Sequence, residues 1–342
     1  KLKQKSQNRF LAALLAVAMM LQMLPMLAFA EDAPDAYAVK IDGKEGSYAK
    51  LVDAVKAASS GDTIILGEGN YTLYGIKSDD TTKGKNLTFV GQGPDKTAWN
   101  IGDEVPDPAN FGTEYNGDYS FDGAKTVTFK NMTLRSGKVD YLGFIRIDNT
   151  VVENCVINGK TDYWGYTSAV FKDTTFNAPS SNYALWTYCS PTMTFDTCTF
   201  NANGKAINVY TDYSAGAHDI TVNFNNCTVN SISSFLARKQ ALNINDSNMA
   251  GYRYIIHINN STANLDEKDR DKTTCSRMFG FGGKKENNTG RTQVYWNDEL
   301  VWNDGVKLTH SYTDGEHDTA FTTTYSDWTP SGAERIDKRE VT

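Results

Sequence analysis

Phe195-Asp196-Thr197-Cys198-Thr199-Phe200 is a six-residue phrase that recurs along this chain of 342 residues. In every copy the first and last residues are apolar, and the third is Asn, Asp or Thr. The copies occupy residues 129–134, 152–157, 171–176, 195–200, 224–229 and 244–249. Their third positions lie 23, 19, 24, 29 and 20 residues apart. A repeat of this period, with spacers of unequal length, is typical of a solenoid.

Each copy of the phrase predicts a strand, a corner and a second strand. The first side chain is large and apolar and is expected to point inward, whereas the second is mostly polar and is expected to point outward. Asn and Asp at the third position tolerate the left-handed backbone that bends a strand sharply. The fourth residue is mostly small or sulfur-bearing and is expected inside the bend. Such units stack at the strand spacing of ~4.8 Å, so Asn side chains can form ladders.

The first thirty residues predict a secretory signal peptide. A basic segment is followed by an apolar run over 10–27 and by the small-x-small cleavage site Ala28-Phe29-Ala30. Gln22 and Pro25 fall within the apolar run, which argues against a transmembrane anchor. The mature chain is therefore expected to be secreted or held at a bacterial cell surface, with no transmembrane segment of its own.

The net charge of the mature chain limits the classes of partner that it is expected to bind. The four basic residues of the predicted signal peptide are Lys1, Lys3, Lys5 and Arg9. Without them the formal net charge falls from −7 to −11. An acidic chain argues against a nucleic-acid partner, because such a partner requires clustered cations.

The five cysteines are Cys155, Cys189, Cys198, Cys227 and Cys275. Cys155, Cys198 and Cys227 share the fourth position of the phrase, which indicates an internal column of small apolar thiols. Cys198 and Cys227 fall on neighbouring repeats, so a disulfide between them is an open alternative. An odd number of cysteines leaves at least one unpaired. Their spacing matches no metal-ligand signature.

The region before the repeats predicts a short helix and two strands. Ser47 is a candidate N-cap for a helix that carries Tyr48, Leu51, Val52 and Val55 on one face. Strands are expected at 63–66 and 87–90.

The same region carries a resemblance to a known family. The run Leu51-x3-Val55-x5-Gly61-Asp62-Thr63-Ile64-x2-Gly67-x-Gly69-x-Tyr71, followed by Phe89-x-Gly91-x-Gly93, resembles the opening of pectin-lyase-like β-helix proteins. The resemblance covers about residues 45–265. It implies an all-β chain that forms a right-handed parallel β-helix with an N-terminal capping helix. It says little about activity, because lyases, esterases, hydrolases, tailspikes and adhesins share this fold.

These patterns predict three segments. They are a signal peptide over 1–30, a parallel β-helix domain over 31–265 and a β-rich C-terminal cap or extension over 266–342. In the last segment, 293–302 predicts a hairpin that turns at Asn297-Asp298, and 307–312 and 320–325 predict further strands. The charged run 266–272 holds four acids that could bind calcium, but their spacing fits no EF-hand and favours a solvated loop. No cofactor is therefore expected.

A third strand between successive phrases is the predicted place for a binding site. Alternation puts Ile145, Ile147, Leu185, Ile207 and Val209 inside. The outward positions are expected to be Arg146, Tyr166, Trp186, Tyr188, Asn208, Tyr210, Arg238 and His257. Aromatic faces can cover the apolar side of a sugar ring, and Arg and Asn bind hydroxyls or carboxylates. The pattern predicts a groove for a polysaccharide or a glycoprotein glycan. The alternative is an ordinary exposed sheet, in which Tyr and Trp are simply good strand formers.

Motifs for catalysis are weaker than the repeat. None of the four histidines lies between glycines as in polygalacturonases, and the aspartate and arginine motifs of pectin methylesterases are missing. Arg146, Arg238 or Lys239 could serve as the base of a polysaccharide lyase, but no neighbouring motif fixes them in that role. The favoured hypothesis is a non-catalytic, adhesin-like module that binds a glycan or host surface component. The alternatives are a lyase or glycoside hydrolase with a divergent site, and a structural stalk.

Overall fold

A computed structural model describes sixteen stretches of backbone, all within the compact unit Tyr37–Thr342. They are residues 38–72, 81–101, 121–136, 141–178, 183–188, 191–202, 205–210, 219–231, 234–239, 254–265, 274–275, 279–281, 292–303, 310–313, 318–325 and 337–341. The predicted signal peptide, the charged run 266–272 and the phrase at 244–249 lie outside the described residues.

Strands dominate the described residues, as the all-β prediction requires. One helix, α1 (Leu51–Ala57), follows the first strand. The strands are β1 (Val39–Ile41), β2 (Thr63–Leu66), β3 (Gly69–Thr72), β4 (Asn86–Val90), β5 (Thr97–Ile101), β6 (Thr126–Ser136), β7 (Tyr141–Asn158), β8 (Lys160–Lys172), β9 (Thr175–Ala178), β10 (Tyr183–Tyr188), β11 (Thr192–Asp196), β12 (Thr199–Ala202), β13 (Lys205–Tyr210), β14 (Ile220–Asn225), β15 (Thr228–Ser231), β16 (Ser234–Lys239), β17 (Tyr254–Asn259), β18 (Thr262–Leu265), β19 (Thr274–Cys275), β20 (Phe279–Phe281), β21 (Thr292–Trp296), β22 (Glu299–Asn303), β23 (His310–Thr313), β24 (Asp318–Tyr325) and β25 (Asp337–Val341).

Most strands pair in parallel with the equivalent strand of the next repeat, in three series called ladders here. The first ladder runs β2, β4, β6, β7, β8, β11, β14, β17, β21. The second runs β3, β5, β6, β7, β9, β12, β15, β18. The third runs β7, β8, β10, β13, β16, β20. The long strands β6, β7 and β8 each belong to more than one ladder.

The third residue of the phrase forms the corner between the first and second ladders. Its backbone is left-handed in each described copy, with φ of 56° at Asn131, 50° at Asn154, 48° at Asp173, 55° at Thr197 and 55° at Asn226. The corner prediction is therefore confirmed at these five positions. The next corner in the ladder is Asn260, with φ of 49°, because β14 pairs directly with β17.

The first and last residues of the phrase form two aromatic columns in the core. Phe171, Phe195 and Phe224 stack with ring centroids 5.1 Å apart at each step. Phe176 and Phe200 stack at 4.7 Å in the second column. All five side chains are buried. Aligned aromatic pairs add about 0.5–1.5 kcal/mol each beyond the burial of their area, so the phrase itself supplies the packing between repeats.

A ladder of Asn side chains lies at the residue that follows each phrase, whereas the sequence predicted one at the corner position. Asn177 donates to Asn158 at 3.3 Å, Asn201 donates to Asn177 at 2.7 Å, and Asn230 donates to Asn201 at 2.9 Å. At the corners, Asn154 donates to Asn131 at 2.8 Å. Each bond joins one repeat to the next.

From Cys155 onward the fourth residues of the described phrases form an interior column of hydrogen-bond donors, whereas the first phrase has Met132 there. Cys155, Cys198 and Cys227 are buried and free, so the disulfide alternative is absent from this structure. The Cys198 thiol donates to the carbonyl of Phe171 in the previous repeat at 3.3 Å. Burial raises the pKa of the Cys155 thiol to about 12. A hydrogen bond with Cys227 and burial raise the pKa of Cys198.

The N-terminal helix is present, but its predicted cap is wrong. The N-cap is Lys50, which makes no side-chain capping bond, and Ser47 lies outside the helix. Tyr48 instead pairs with Val39, with a backbone N–H···O distance of 2.7 Å from Tyr48 to Val39. This pairing delays the start of α1. Leu51 and Val55 are buried in the core, as predicted, whereas Val52 is only partly buried.

The C-terminal segment is β-rich, and the predicted hairpin is confirmed. β21 and β22 pair antiparallel around Asn297 and Asp298, whose φ angles are 48° and 66°. Parallel pairing continues past residue 265, because β20 pairs with β16 and β21 with β17. β19, β25, β24 and β23 form a separate antiparallel sheet. Among the described helices, none is long and apolar enough to cross a membrane.

Candidate functional site

The third ladder carries most of the predicted binding residues. Leu185 and Thr187 of β10 and Ile207 of β13 are completely buried, and so is Tyr163 of β8. The inward assignment of Leu185 and Ile207 is thus confirmed. Because alternate residues of a strand face opposite sides, the positions between these buried residues belong to the opposite face of the ladder.

Two rows of aligned positions alternate with the buried ones. The tryptophan row aligns Asp162, Trp186, Asn208 and Ala237. The tyrosine row aligns Trp164, Tyr188, Tyr210 and Lys239. Adjacent members of each row are separated by the strand spacing, about 4.8 Å. The structure therefore brings four predicted site residues together as two adjacent pairs, Trp186 with Asn208 and Tyr188 with Tyr210.

Arg238 lies in a different row from these four residues. Its register aligns it with Val209 and through it with Thr187, which is completely buried. Leu236 aligns with buried Ile207 two positions earlier, which fixes this register. The sequence places Phe235 and Leu236 side by side, so apolar alternation alone could not decide which of them belongs to the inner face.

Arg146 and Tyr166 also lie outside the two rows. The pairing between β7 and β8 shifts register between Ile145 and Ile147, at the position of Arg146. Ile145 is consequently aligned with Trp164, in the tyrosine row, although alternation placed it inside. Tyr166 comes two residues after Trp164, beyond the part of β8 that pairs with β10, and is 40% exposed.

His257 belongs to the first ladder and not to the third. It aligns with Asn223 on one side and Tyr295 on the other, and its ring stacks on that of Tyr295 with centroids 5.1 Å apart. The strand 254–259 leads into the corner at Asn260, which is why its position is equivalent to that of Thr194 and not of Trp186.

Asp162 and Trp164 are aligned with the predicted residues but were missed by sequence reasoning. Tyr163 is completely buried, and its hydroxyl donates to the carbonyl of Ser168 at 2.9 Å. Gly165 permits this, since a Cβ there would collide with the Tyr163 hydroxyl. The sequence signal that could have shown which residues of β8 face inward is Tyr163, a tyrosine between the polar Asp162 and the aromatic Trp164.

The two edges of this face differ in exposure. Ala184 has the same parity as Trp186, yet it is completely buried. Tyr166, at the opposite edge, is the more exposed of the two. Parity alone therefore does not decide exposure along this face.

No group of three or more His, Cys, Asp or Glu side chains that could hold a metal ion occurs in the described part of the chain. The thiols with shifted pKa values lie in the interior column between the first and second ladders. The two rows of the third ladder bring together residues of aromatic, amide and hydroxyl type.

Comparison of the chain with family models, curated proteins and solved structures finds no match.

Proposed function

We propose that this chain is a secreted or cell-surface right-handed parallel β-helix that binds a glycan on the outer face of its third ladder. The observation that carries the proposal is the pair of aligned rows. They bring Trp186 beside Asn208 and Tyr188 beside Tyr210, at positions that alternate with completely buried residues. The proposed module is non-catalytic.

The β-helix is supported by the three ladders and their shared corners. Equivalent strands of successive repeats pair in parallel in each ladder, and a left-handed residue separates the first two ladders in every described repeat from Asn131 to Asn260. A chain that returns to pair in parallel with itself must cross over, and such crossovers are right-handed in about 98% of cases. Right-handed winding is therefore the expected handedness.

Glycan binding is supported by the chemistry of the rows. Tyr and Trp combine an apolar ring with one polar group, and they cover the apolar side of a sugar while donating to its hydroxyls. Asn adds both a donor and an acceptor. A row that crosses successive strands at regular spacing offers equivalent contacts to successive units of a polymer, which suits a chain-like ligand.

Secretion is supported by the basic, apolar and small-residue segments of the first thirty residues. N-terminal sequencing of protein recovered from the medium of an expressing Gram-positive host is expected to begin at Glu31. Retention of Lys1 in the recovered protein would contradict the predicted cleavage.

Binding is tested by applying the purified chain to a glycan array beside two variants. Trp186→Ala combined with Tyr210→Ala is expected to reduce binding by at least about tenfold, because each ring contributes on the order of 1 kcal/mol. His257→Ala removes a ring from another ladder and serves as the matched control, with binding unchanged. Equal binding by the double variant and the wild type, with both folded by circular dichroism, would overturn the proposal.

A further inference from the structure

We infer that the ligand of the third-ladder face is a neutral glycan and not a polyuronate. The inference rests on the proposed function and adds the chemical class of the ligand. It follows from where the register places the charged residues of β7, β8, β10, β13 and β16.

The rows that hold the aromatic residues contain few charges. Across β8, β10, β13 and β16, the tryptophan row has one charged member, Asp162, at the end nearest β7. The tyrosine row has one, Lys239, at the end nearest β20. The positions between these ends are Trp, Tyr, Asn and Ala. Between Asp162 at one end and Lys239 at the other, the two rows hold no charged residue, and Lys160 lies outside both rows.

The arginines that could have matched carboxylates are placed elsewhere. Arg238 shares its row with Val209 and Thr187, on the parity of the buried residues. Arg146 falls at the register shift between Ile145 and Ile147, where it has no aligned partner on β8. The register therefore places neither arginine in the two rows that hold the aromatic residues of β10 and β13.

A polyuronate carries a carboxylate on every sugar, so a groove that binds it needs cations at a comparable repeat. A carboxylate that leaves water without a charged or hydrogen-bonded partner loses several kcal/mol of hydration, and Arg is the side chain that best replaces that hydration. Here Asp162 would repel such a ligand, as would the formal net charge of −7 over the whole chain. Sugar hydroxyls need only neutral donors and acceptors, which Asn208 and the two tyrosines provide.

The test compares one polymer with and without its charge. Binding of the full chain is measured by calorimetry to homogalacturonan fragments and to the same fragments after carboxyl reduction, which keeps the linkage and removes the charge. Cello-, xylo-, manno- and chito-oligosaccharides extend the neutral set. At least one neutral probe is expected to bind about tenfold or more tightly than native homogalacturonan. Its affinity is expected to change by less than about threefold when ionic strength is raised.

A variant makes the test specific to this face. Asp162→Asn is expected to narrow the preference, because loss of the carboxylate raises the affinity for homogalacturonan relative to that for the neutral probe. His257→Ala is the control and is expected to change neither. If homogalacturonan binds at least as tightly as every neutral probe, the inference is overturned and the proposed function stands. Failure of all the probes, neutral and acidic, would overturn the proposed glycan binding together with the inference.

Discussion

In the described phrases after the first, which has Met132, the fourth residue supplies a hydrogen-bond donor to the inside of the corner. Thr174 donates to the carbonyl of Lys172 at 2.8 Å, Cys227 to that of Asn225 at 3.3 Å, and Ser261 to that of Asn259 at 3.0 Å. Hydroxyl and thiol are thus interchangeable in kind at this position. The donor meets the carbonyl two residues earlier, and at Asn225 and Asn259 that carbonyl also accepts the backbone N–H of the corner residue in the previous repeat. Donor chemistry therefore explains why the column mixes Cys, Thr and Ser.

Cys198 allows this role to be measured with two variants of nearly equal shape. Cys198→Thr keeps a donor, whereas Cys198→Val removes it and leaves the carbonyls of Phe171 and Asp196 without it. We expect the valine variant to be less stable than the threonine variant by about 0.5–1.5 kcal/mol. Urea denaturation of both proteins measures the difference. A valine variant as stable as the threonine variant would show that the column needs only volume.

The raised pKa of Cys155 predicts that the free energy of unfolding depends on pH in the alkaline range. Its pKa rises from an ordinary value of 9.0 to about 12 because the thiol is buried. Between these values the folded chain keeps a proton that the unfolded chain has lost, so the free energy of unfolding falls as pH rises. The contribution is complete below pH 9 and declines by at most about 1.4 kcal/mol per pH unit above it. Cys155→Thr, which lacks the titrating group, is expected to show the shallower decline in pH-dependent urea melts; parallel curves would contradict this.

At the scale of elements, the Asn ladder couples the second strands of four repeats. Asn201 takes part in two hydrogen bonds of the ladder, since it donates to Asn177 and accepts from Asn230. Asn158, at the end of the ladder, accepts one. Asn201→Ala should therefore cost about 1–3 kcal/mol, and Asn158→Ala about half as much. Chemical denaturation of the two variants tests the ratio. Equal losses would indicate that the amides act independently and not as a ladder.

The repeat could be predicted from sequence at positions where the backbone conformation restricts the choice of residue. Asn131, Asn154 and Asp173 are left-handed because few other residues tolerate that backbone. Asn260 escaped prediction because its phrase ends in Ala263 and not in a large apolar residue. The N-terminal corner at Gly91 has another form, since a Cβ there would meet the carbonyl of Asn131 and would lie 2.8 Å from Thr97 Cβ.

The candidate site was less predictable than the corners, because it depends on which alternate residues of each strand face inward. A register change of one residue exchanges the two faces of a strand. The register gives Trp186 and Tyr210 the same parity, which alternates with that of buried Leu185 and Ile207. It gives Arg238 the other parity, which its own strand could not reveal because the apolar residues Phe235 and Leu236 are adjacent and either could have faced inward. Pairing with a neighbouring strand carries that information, and a single strand does not.

At the scale of the whole unit, both ends of the first ladder are closed by antiparallel strands. β1 pairs with β2 through Val39, Lys40 and Ile41, and β22 pairs with β21. An unpaired parallel edge is a template for association with another chain. The closing strands are only three and five residues long and carry Lys40 and Glu299. Short, charged edges are a common protection against such association.

The turn at Asn297-Asp298 tests whether this closure keeps separate copies apart. Both residues are left-handed, as a two-residue hairpin of the primed type requires. Asp298→Gly removes the steric cost of that backbone and should keep the hairpin closed, whereas Asp298→Val should destabilise it by about 1–2 kcal/mol. Asn297 stays unchanged in both, because its side chain accepts the backbone N–H of Asn260 at 2.8 Å. Light scattering over time is expected to show concentration-dependent association of the valine variant alone. Hydrogen exchange shows whether the hairpin of the valine variant has opened. A valine variant with an open hairpin that stays monomeric would contradict the idea that β22 protects the edge of β21.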